Sequence, residues 1–209
     1  MNVLTISVHP DDETLGSGGT LLRHKANGDS LYWLIVTQAH QPQWSEEVIG
    51  AKAGEVSRVA EAYGMKQTFK LGLPTTCLDT YPKADLINRI RPVIAEVKPE
   101  VVYLTHDGDV HTDHQAVFQA TFSILKAFYM RDFGVRRILS YETLSSTEAA
   151  PPQFAKQFIP NVYQDITAHI ERKIEIMNLY ATESQPDPFP RGPKSVRSLA
   201  RYRGATIGV

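Results

Sequence analysis

Apolar residues fall along the chain in two rhythms. Short dense runs come at Val3, Leu4, Ile6 and Val8, at Leu31 to Thr37, at Phe69 to Leu73, at Val101 to Leu104 and at Ile138 to Thr143. Runs of this length, rich in β-branched and aromatic residues, predict strands, and their near-continuous apolarity suits strands covered on both faces. Between them the apolar positions recur every three or four residues. Leu15, Leu21 and Leu22 predict a helix over 14–27, and Val48, Val56, Val59, Ala60 and Tyr63 predict one over 46–64. Leu86, Ile90, Val93, Ile94 and Val97 predict a third, which must end at Lys98-Pro99. Val117, Phe118, Phe122, Leu125 and Phe128 predict a fourth over 116–130, and a final helix is expected over 166–181. Such alternation predicts the α/β class: a Rossmann-like, mostly parallel sheet with helices on both faces. At 209 residues, one domain spanning 1–209 is the simplest organisation.

Turn residues punctuate this pattern. Gly28-Asp29 closes the first predicted helix and Gly64 the second. Pro151, Pro152 and Pro160 break a loop-rich stretch, and residues 185–209 read as a loop-rich C-terminal part. Four arginines fall there: Arg191, Arg197, Arg201 and Arg203. They suit an anionic substrate group and equally suit a solvated tail. Gln41 to Trp44, beyond the second predicted strand, either flanks a site or is an ordinary connector.

Composition narrows the function more than the fold. A formal net charge of −1 leaves no basic footprint for nucleic acid. No stretch approaches the roughly 18 apolar residues of a membrane helix, and the first residues lack the pattern of a signal peptide. The single cysteine, Cys77, forms no internal disulfide, which agrees with a reducing, cytoplasmic setting. It also excludes a cysteine-rich structural zinc site.

Candidate chemistry gathers just past two predicted strands. His9-Pro10-Asp11-Asp12-Glu13 follows the first run. Helix capping accounts for Pro10 and one or two of the acids, since carboxylates favour a helix N-terminus. It accounts for neither the histidine nor the second aspartate. Past Val101 to Leu104, three histidines and three aspartates lie within residues 106–114: His106, Asp107, Asp109, His111, Asp113 and His114. In a parallel sheet all carboxyl ends share one rim, where α/β folds bind ligands. Imidazole and carboxylate together suit a catalytic zinc; imidazole also suits iron, copper and nickel, so the donor set leaves the metal's identity open. Gly16-Ser17-Gly18-Gly19 lacks the spacing of a dinucleotide fingerprint, and the preceding acids would repel a pyrophosphate. Close helix–sheet packing explains these glycines better.

His9-Pro10-Asp11-Asp12-Glu13 together with His111-Thr112-Asp113-His114 resembles the PIG-L/LmbE family of zinc-dependent N-acetylglucosaminyl deacetylases. The similarity extends to Tyr141-Glu142, Ser145-Ser146, Pro160 to Tyr163, Asp165-Ile166, Lys173, Tyr180 and Gln185. The resemblance implies zinc, with Fe2+ or another divalent transition metal as a substitute, held by His9, Asp12 and His114. It decides between Asp11 and Asp12, which the residues alone leave equivalent, and makes Asp11 the general base. It implies that His111 stabilises the oxyanion or protonates the leaving amine, with Asp113 as its orienting partner, and that Arg58 binds substrate hydroxyls. Glu13 is expected to cap or support. Family members continue past Gly204 with an aromatic, acidic segment, so the chain is expected to be short there. The implied partner is a small N-acetylated sugar conjugate, with no nucleic acid and no membrane span; homo-oligomerisation stays open. Alternatives are a zinc amidase acting on a non-sugar amide, a non-catalytic metal-dependent scaffold and a nucleotide-binding protein. His24, His40 and His169 are expected to be structural or exposed, and His106 and Asp109 adjoin the second motif closely enough to matter.

Overall fold

A computed structural model of the chain describes residues 1–151 and 156–209. Pro152, expected to break the chain, lies outside the described residues. Five strands form one parallel sheet: β1 (Asn2–Ser7), β2 (Ser30–Gln38), β3 (Gln67–Pro74), β4 (Val101–Thr105) and β5 (Arg137–Tyr141). Their spatial order is β3-β2-β1-β4-β5. Leu4 pairs with Tyr32 on one side and with Val102 on the other. The strand order reverses between β1 and β4, so the two motif-bearing strands are neighbours at the switch point of the sheet. That is where an open α/β sheet leaves a crevice.

Seven α-helices among the described residues complete the fold: α1 (Asp12–Leu15), α2 (Gly18–Ala26), α3 (Glu46–Tyr63), α4 (Lys83–Val97), α5 (Thr112–Ile124), α6 (Ile170–Met177) and α7 (Pro193–Ala205). Alternation along each strand sends side chains to two cores. Leu4, Ile6, Tyr32 and Leu34 pack with Leu86, Ile90 and Ile94 of α4 and with Val117 and Ile124 of α5. Val3, Leu31, Trp33 and Ile35 pack on the other face with Leu21, Val56, Val59, Tyr63, Ile174 and Val196. The sheet is thus covered on both faces, as the apolar runs predict. No helix among the described residues is long and apolar enough to cross a membrane.

Four expectations need revision, the first being the helix expected over 166–181, which spans only Ile170–Met177 and is followed by another. The helix predicted over 14–27 breaks at Gly16-Ser17 into α1 and α2. A side chain at Gly16 would bring its Cβ within 2.0 Å of the Tyr141 ring, and one at Gly18 within 2.5 Å of the Tyr63 hydroxyl. These glycines serve close packing, as expected, and the same close approach leaves the helix too little room to run straight. The helix predicted over 116–130 starts earlier, at Thr112, and stops at Ile124. The arginine-rich tail is not irregular throughout: Pro193 sits in the first turn of α7, where its missing N–H costs nothing. Arg197 pairs with Glu171 of α6, and Arg203 holds both carboxylate oxygens of Glu142 at 2.7 and 2.5 Å.

Candidate active site

β1 ends at Ser7, and the chain turns through His9 and Pro10 into α1. The Asp12 carboxylate folds back on this turn: its Oδ2 accepts from the Val8 N–H at 3.0 Å and from the His9 N–H at 2.8 Å. Asp11 has φ 130°, far from the ordinary regions for a residue with a Cβ. Such strain persists only where surrounding contacts impose it, commonly at functional sites. The third acid, Glu13, is fully buried and accepts from Ser7 Oγ at 2.9 Å, Thr14 Oγ1 at 2.6 Å and the Tyr180 hydroxyl at 2.7 Å. Trp33 Nε1 donates to Ser7 in turn, at 2.8 Å. Burial pushes the Glu13 carboxyl up, and the three donors oppose that rise. Glu13 is therefore the anchor of the turn.

β4 ends at Thr105, and its loop leads to α5, capped by His111. Asp109 organises this loop. Its Oδ1 accepts from the His111 N–H at 3.0 Å, and its Oδ2 accepts from Thr147 Oγ1 at 3.0 Å and lies 3.1 Å from His114 Nδ1. The last contact is a close approach of the carboxylate to the ring nitrogen. The family resemblance places Asp113 behind His111. Its carboxylate instead lies 3.2 Å from His9 Nε2 and accepts from the N–H groups of Thr76 at 2.7 Å and Leu78 at 2.9 Å. Only its backbone N–H meets His111, at 3.3 Å from Nδ1. Residue 113 opens a helix one turn from the crevice, so its side chain points across to β1 and away from its near neighbour.

These partners orient the two rings. His9 turns Nε2 to Asp113 and so directs Nδ1 inward; His114 turns Nδ1 to Asp109 and so directs Nε2 inward. His9 Nδ1 and His114 Nε2 face each other at 3.2 Å. An Asp12 oxygen lies 3.4 Å from His114 Nε2, and another lies 3.8 Å from His9 Nδ1. When deprotonated, these nitrogens and the Asp12 carboxylate offer lone pairs that a cation between them would bind. Ligands bound about 2.0–2.1 Å from a tetrahedral zinc stand about 3.3–3.4 Å apart, so the spacing fits. Each imidazole also has a carboxylate behind it, the usual support of a metal-bound histidine. His111 completes a cluster in which the three histidines each offer a ligand atom within 4.8 Å of the others. Its Nδ1 is taken by the Asp113 N–H, so in the neutral ring Nε2 carries hydrogen and is a donor.

Charge follows the same logic. Burial alone would raise Asp12, yet His114 and His9 hold it well below the carboxylate range. Burial alone would lower His114, yet Asp12 and Asp109 push it up to about 10. The site is built to surround a positive charge. Burial, with His9 and His114 nearby, lowers His111 and keeps it neutral. Burial, then the Asp12 and Glu183 charges, raises Asp11, while Arg191 opposes them.

Arg191 is the contact that local patterns could not announce. Its Nη1 donates to Asp11 Oδ2 at 3.2 Å and to Glu183 at 2.5 Å. Arg58, expected at the substrate, is exposed on α3 and makes no hydrogen bond or ion pair among the described residues. His106 bonds the Lys156 carbonyl at 2.9 Å and stands apart from the cluster. Gln41 to Gln43 are exposed. A cavity of about 1610 Å³ opens between β5 and α7 beside Gly16 and Lys173, and none of the clustered histidines or aspartates lines it. The histidine and aspartate cluster instead lies where the loops after β1 and β4 meet.

The two motifs that meet in this crevice fall inside a known family. The family model PIG-L: GlcNAc-PI de-N-acetylase matches residues 4–125, which include both motifs and more than half of the chain. The chain belongs to the PIG-L family. It is 27% identical over 169 residues to YaiS, an uncharacterized deacetylase of Escherichia coli K12, covering 78% of this chain and 81% of that one. It is 24% identical to the diacetylchitobiose deacetylase of Thermococcus kodakarensis, over 99% of this chain and 79% of that one. Among solved structures, the conserved protein TT1542 of Thermus thermophilus superposes with a TM-score of 0.77 at 26% identity, over 99% of this chain and 90% of that one. The chain is thus an enzyme of a deacetylase family. The PIG-L match ends at residue 125, so the C-terminal contacts of Tyr180 and Arg191 lie beyond the matched region.

Proposed function

We propose that this PIG-L family enzyme is a zinc-dependent hydrolase that removes the acetyl group from an N-acetylated amino sugar of the N-acetylglucosamine type. The observation that carries the reading is the convergence of His9 Nδ1, His114 Nε2 and the Asp12 carboxylate at 3.2 to 3.8 Å, with Asp113 and Asp109 behind the two rings. His9, Asp12 and His114 would hold the metal. A zinc ion bound there supplies a water acidified towards a pKa of about 7 and a Lewis acid for the acetyl carbonyl.

The chain's own residues do the remaining work. Asp11, buried beside the ligands, takes the proton of the attacking water as its oxygen bonds to the acetyl carbon. His111, a neutral donor at Nε2, meets the negative charge developing on the carbonyl oxygen. When the C–N bond breaks, the proton is delivered to the departing amine nitrogen, and acetate and a free amino sugar leave. Asp109 and Asp113 keep His114 and His9 in the tautomers that leave their ligand nitrogens bare. Arg58 has donors unused within the chain, and they suit the hydroxyls of a sugar ring. A sugar substrate is favoured because the Thermococcus relative is a diacetylchitobiose deacetylase.

The test is metal analysis of the purified protein together with acetate release from N-acetylglucosamine, N,N'-diacetylchitobiose and a small acetamide lacking hydroxyls. About one zinc per chain and preferential release from the sugars support the proposal. Release from the acetamide alone favours the non-sugar amidase, and no zinc uptake overturns the metal reading.

A further inference from the structure

The acids on either side of Asp12 are each held by a residue far along the chain. Glu13 receives the Tyr180 hydroxyl at 2.7 Å, across 167 residues, and Asp11 receives Arg191 at 3.2 Å, across 180. Among the described residues Arg191 is the only hydrogen-bond partner of the Asp11 carboxylate. It is itself fixed. Glu183 accepts from the same Nη1 at 2.5 Å, and Glu183 is clamped from the other side by Lys52 of α3. The neighbouring Thr182 gives its N–H and its hydroxyl to Glu55 of α3, at 2.9 and 2.8 Å. A line of alternating charge therefore runs Lys52, Glu183, Arg191, Asp11, from a rigid helix to the crevice. Arg191 is only partly exposed, at 24%, and Asp11 at 8%, so the contact is shielded from water and stronger than a surface pair.

We infer that Arg191 is a positioning residue of the deacetylase reaction: it fixes the rotamer of Asp11, so that one carboxylate oxygen is held by the guanidinium and the other is left to face the water. The inference rests on the deacetylase reading, in which Asp11 is the base. Its physical basis is the backbone at Asp11. At φ 130° the residue has no regular structure to set its side chain, and a base misplaced by about 1 Å loses much of its effect. The guanidinium supplies the missing constraint, and the anchoring on α3 makes that constraint rigid. Arg191 belongs to the segment that sequence patterns leave as tail, so the active site extends beyond the two motifs.

The test compares Arg191→Ala, Arg191→Lys and wild type, all loaded with zinc. Arg191→Ala is expected to keep its metal and its fold by circular dichroism. Its kcat should fall about ten- to a hundredfold, the usual worth of a charge-assisted bond, with KM changed less than about threefold. Arg191→Lys should recover part of the loss, and millimolar guanidinium should restore turnover to Arg191→Ala. Guanidinium rescue is a response that a purely structural role would not give. A rise in KM with kcat intact would make Arg191 a substrate-binding residue, and loss of kcat without rescue by either route would make it structural; each overturns the inference. A crystal structure of Arg191→Ala reads the same point without turnover. Asp11 is expected to leave its observed rotamer, and an unmoved Asp11 overturns the positioning role even if the wild type proves to release no acetate. Absence of acetate from zinc-loaded wild type, with Asp11 displaced in the variant, would instead overturn the deacetylase reading alone.

Discussion

The two halves of this site are built on different principles. The N-terminal half supplies its groups from loops that directly follow strands: His9 to Asp12 after β1, Asp109 to His114 after β4. Each group lies within a few residues of a strand end, and the parallel sheet brings both ends to one rim. The segment after the last strand contributes Thr147 to Asp109, and farther along the chain the contacts change character. It reaches in from outside, with Tyr180 on Glu13 and Arg191 on Asp11. In the proposed reaction one half carries the chemistry and the other holds it in shape. Damage to the first half should therefore abolish a function, and damage to the second should loosen it.

The largest effect should come from separating ligand and base in the first half. His114→Ala removes one of three proposed protein ligands, so zinc and activity should disappear together. Asp11→Asn keeps size and polarity but cannot take a proton, so it should retain zinc while losing on the order of 10²–10⁴ in turnover. Metal content measured beside kcat for both variants decides the matter. Stoichiometric zinc in His114→Ala would sink the ligand set, and metal lost from Asp11→Asn but kept in Asp12→Asn would exchange the two aspartates.

An intermediate effect should come from the second half. Tyr180→Phe deletes one of the three side-chain donors that hold the buried Glu13. A hydrogen bond to a charged group is worth about 1.5–3 kcal/mol, or roughly 3–12 °C in Tm for a chain of this size. Activity should decline less than in Asp11→Asn, because no reacting group is lost. An unchanged Tm would mean that Tyr180 does not brace the turn, and the division between chemistry and support would fail there.

The smallest effect should come from Arg58, which lies in neither group of contacts. Arg58→Ala should raise KM for a hydroxylated sugar up to about tenfold and leave kcat alone, since a contact to a non-reacting part of the substrate is made equally in ground and transition states. It should not alter a small acetamide. Equal losses on both substrates would move Arg58 from substrate recognition to folding.

The same contrast explains what could be read in advance. β1, β2 and β4 are legible because burial on both faces demands unbroken apolar runs, and α3 and α4 because one face of each is wet. The cluster of His9, Asp12, His111 and His114 is legible because its members sit in two short segments that only one topology can join. What stays hidden depends on partners remote in the chain. Gly16, where the helix breaks, is required by the Tyr141 ring of β5 packed against it. The pairing of Asp113 with His9 defeats the assumption that neighbours in sequence serve each other. Arg191 looks like any other tail arginine until α3 and the turn at Glu183 aim it. Even α7, polar and rich in arginine, reads as tail because its helix is secured by ion pairs with Glu171 and Glu142 and only a narrow apolar contact at Val196.

The adjacency of β1 and β4 carries a consequence for how the molecule comes into being. His9 and His114 are 105 residues apart, so at about 5–20 residues per second on the ribosome the first emerges roughly 5–20 s before the second. Throughout that interval the first motif is half a site, and β1 has only β2 beside it. The crevice exists only once β4 has crossed over and paired, a long-range step that local contacts do nothing to hasten. A cation captured there can select and stabilise the finished sheet, but it arrives too late to guide the strands into their order.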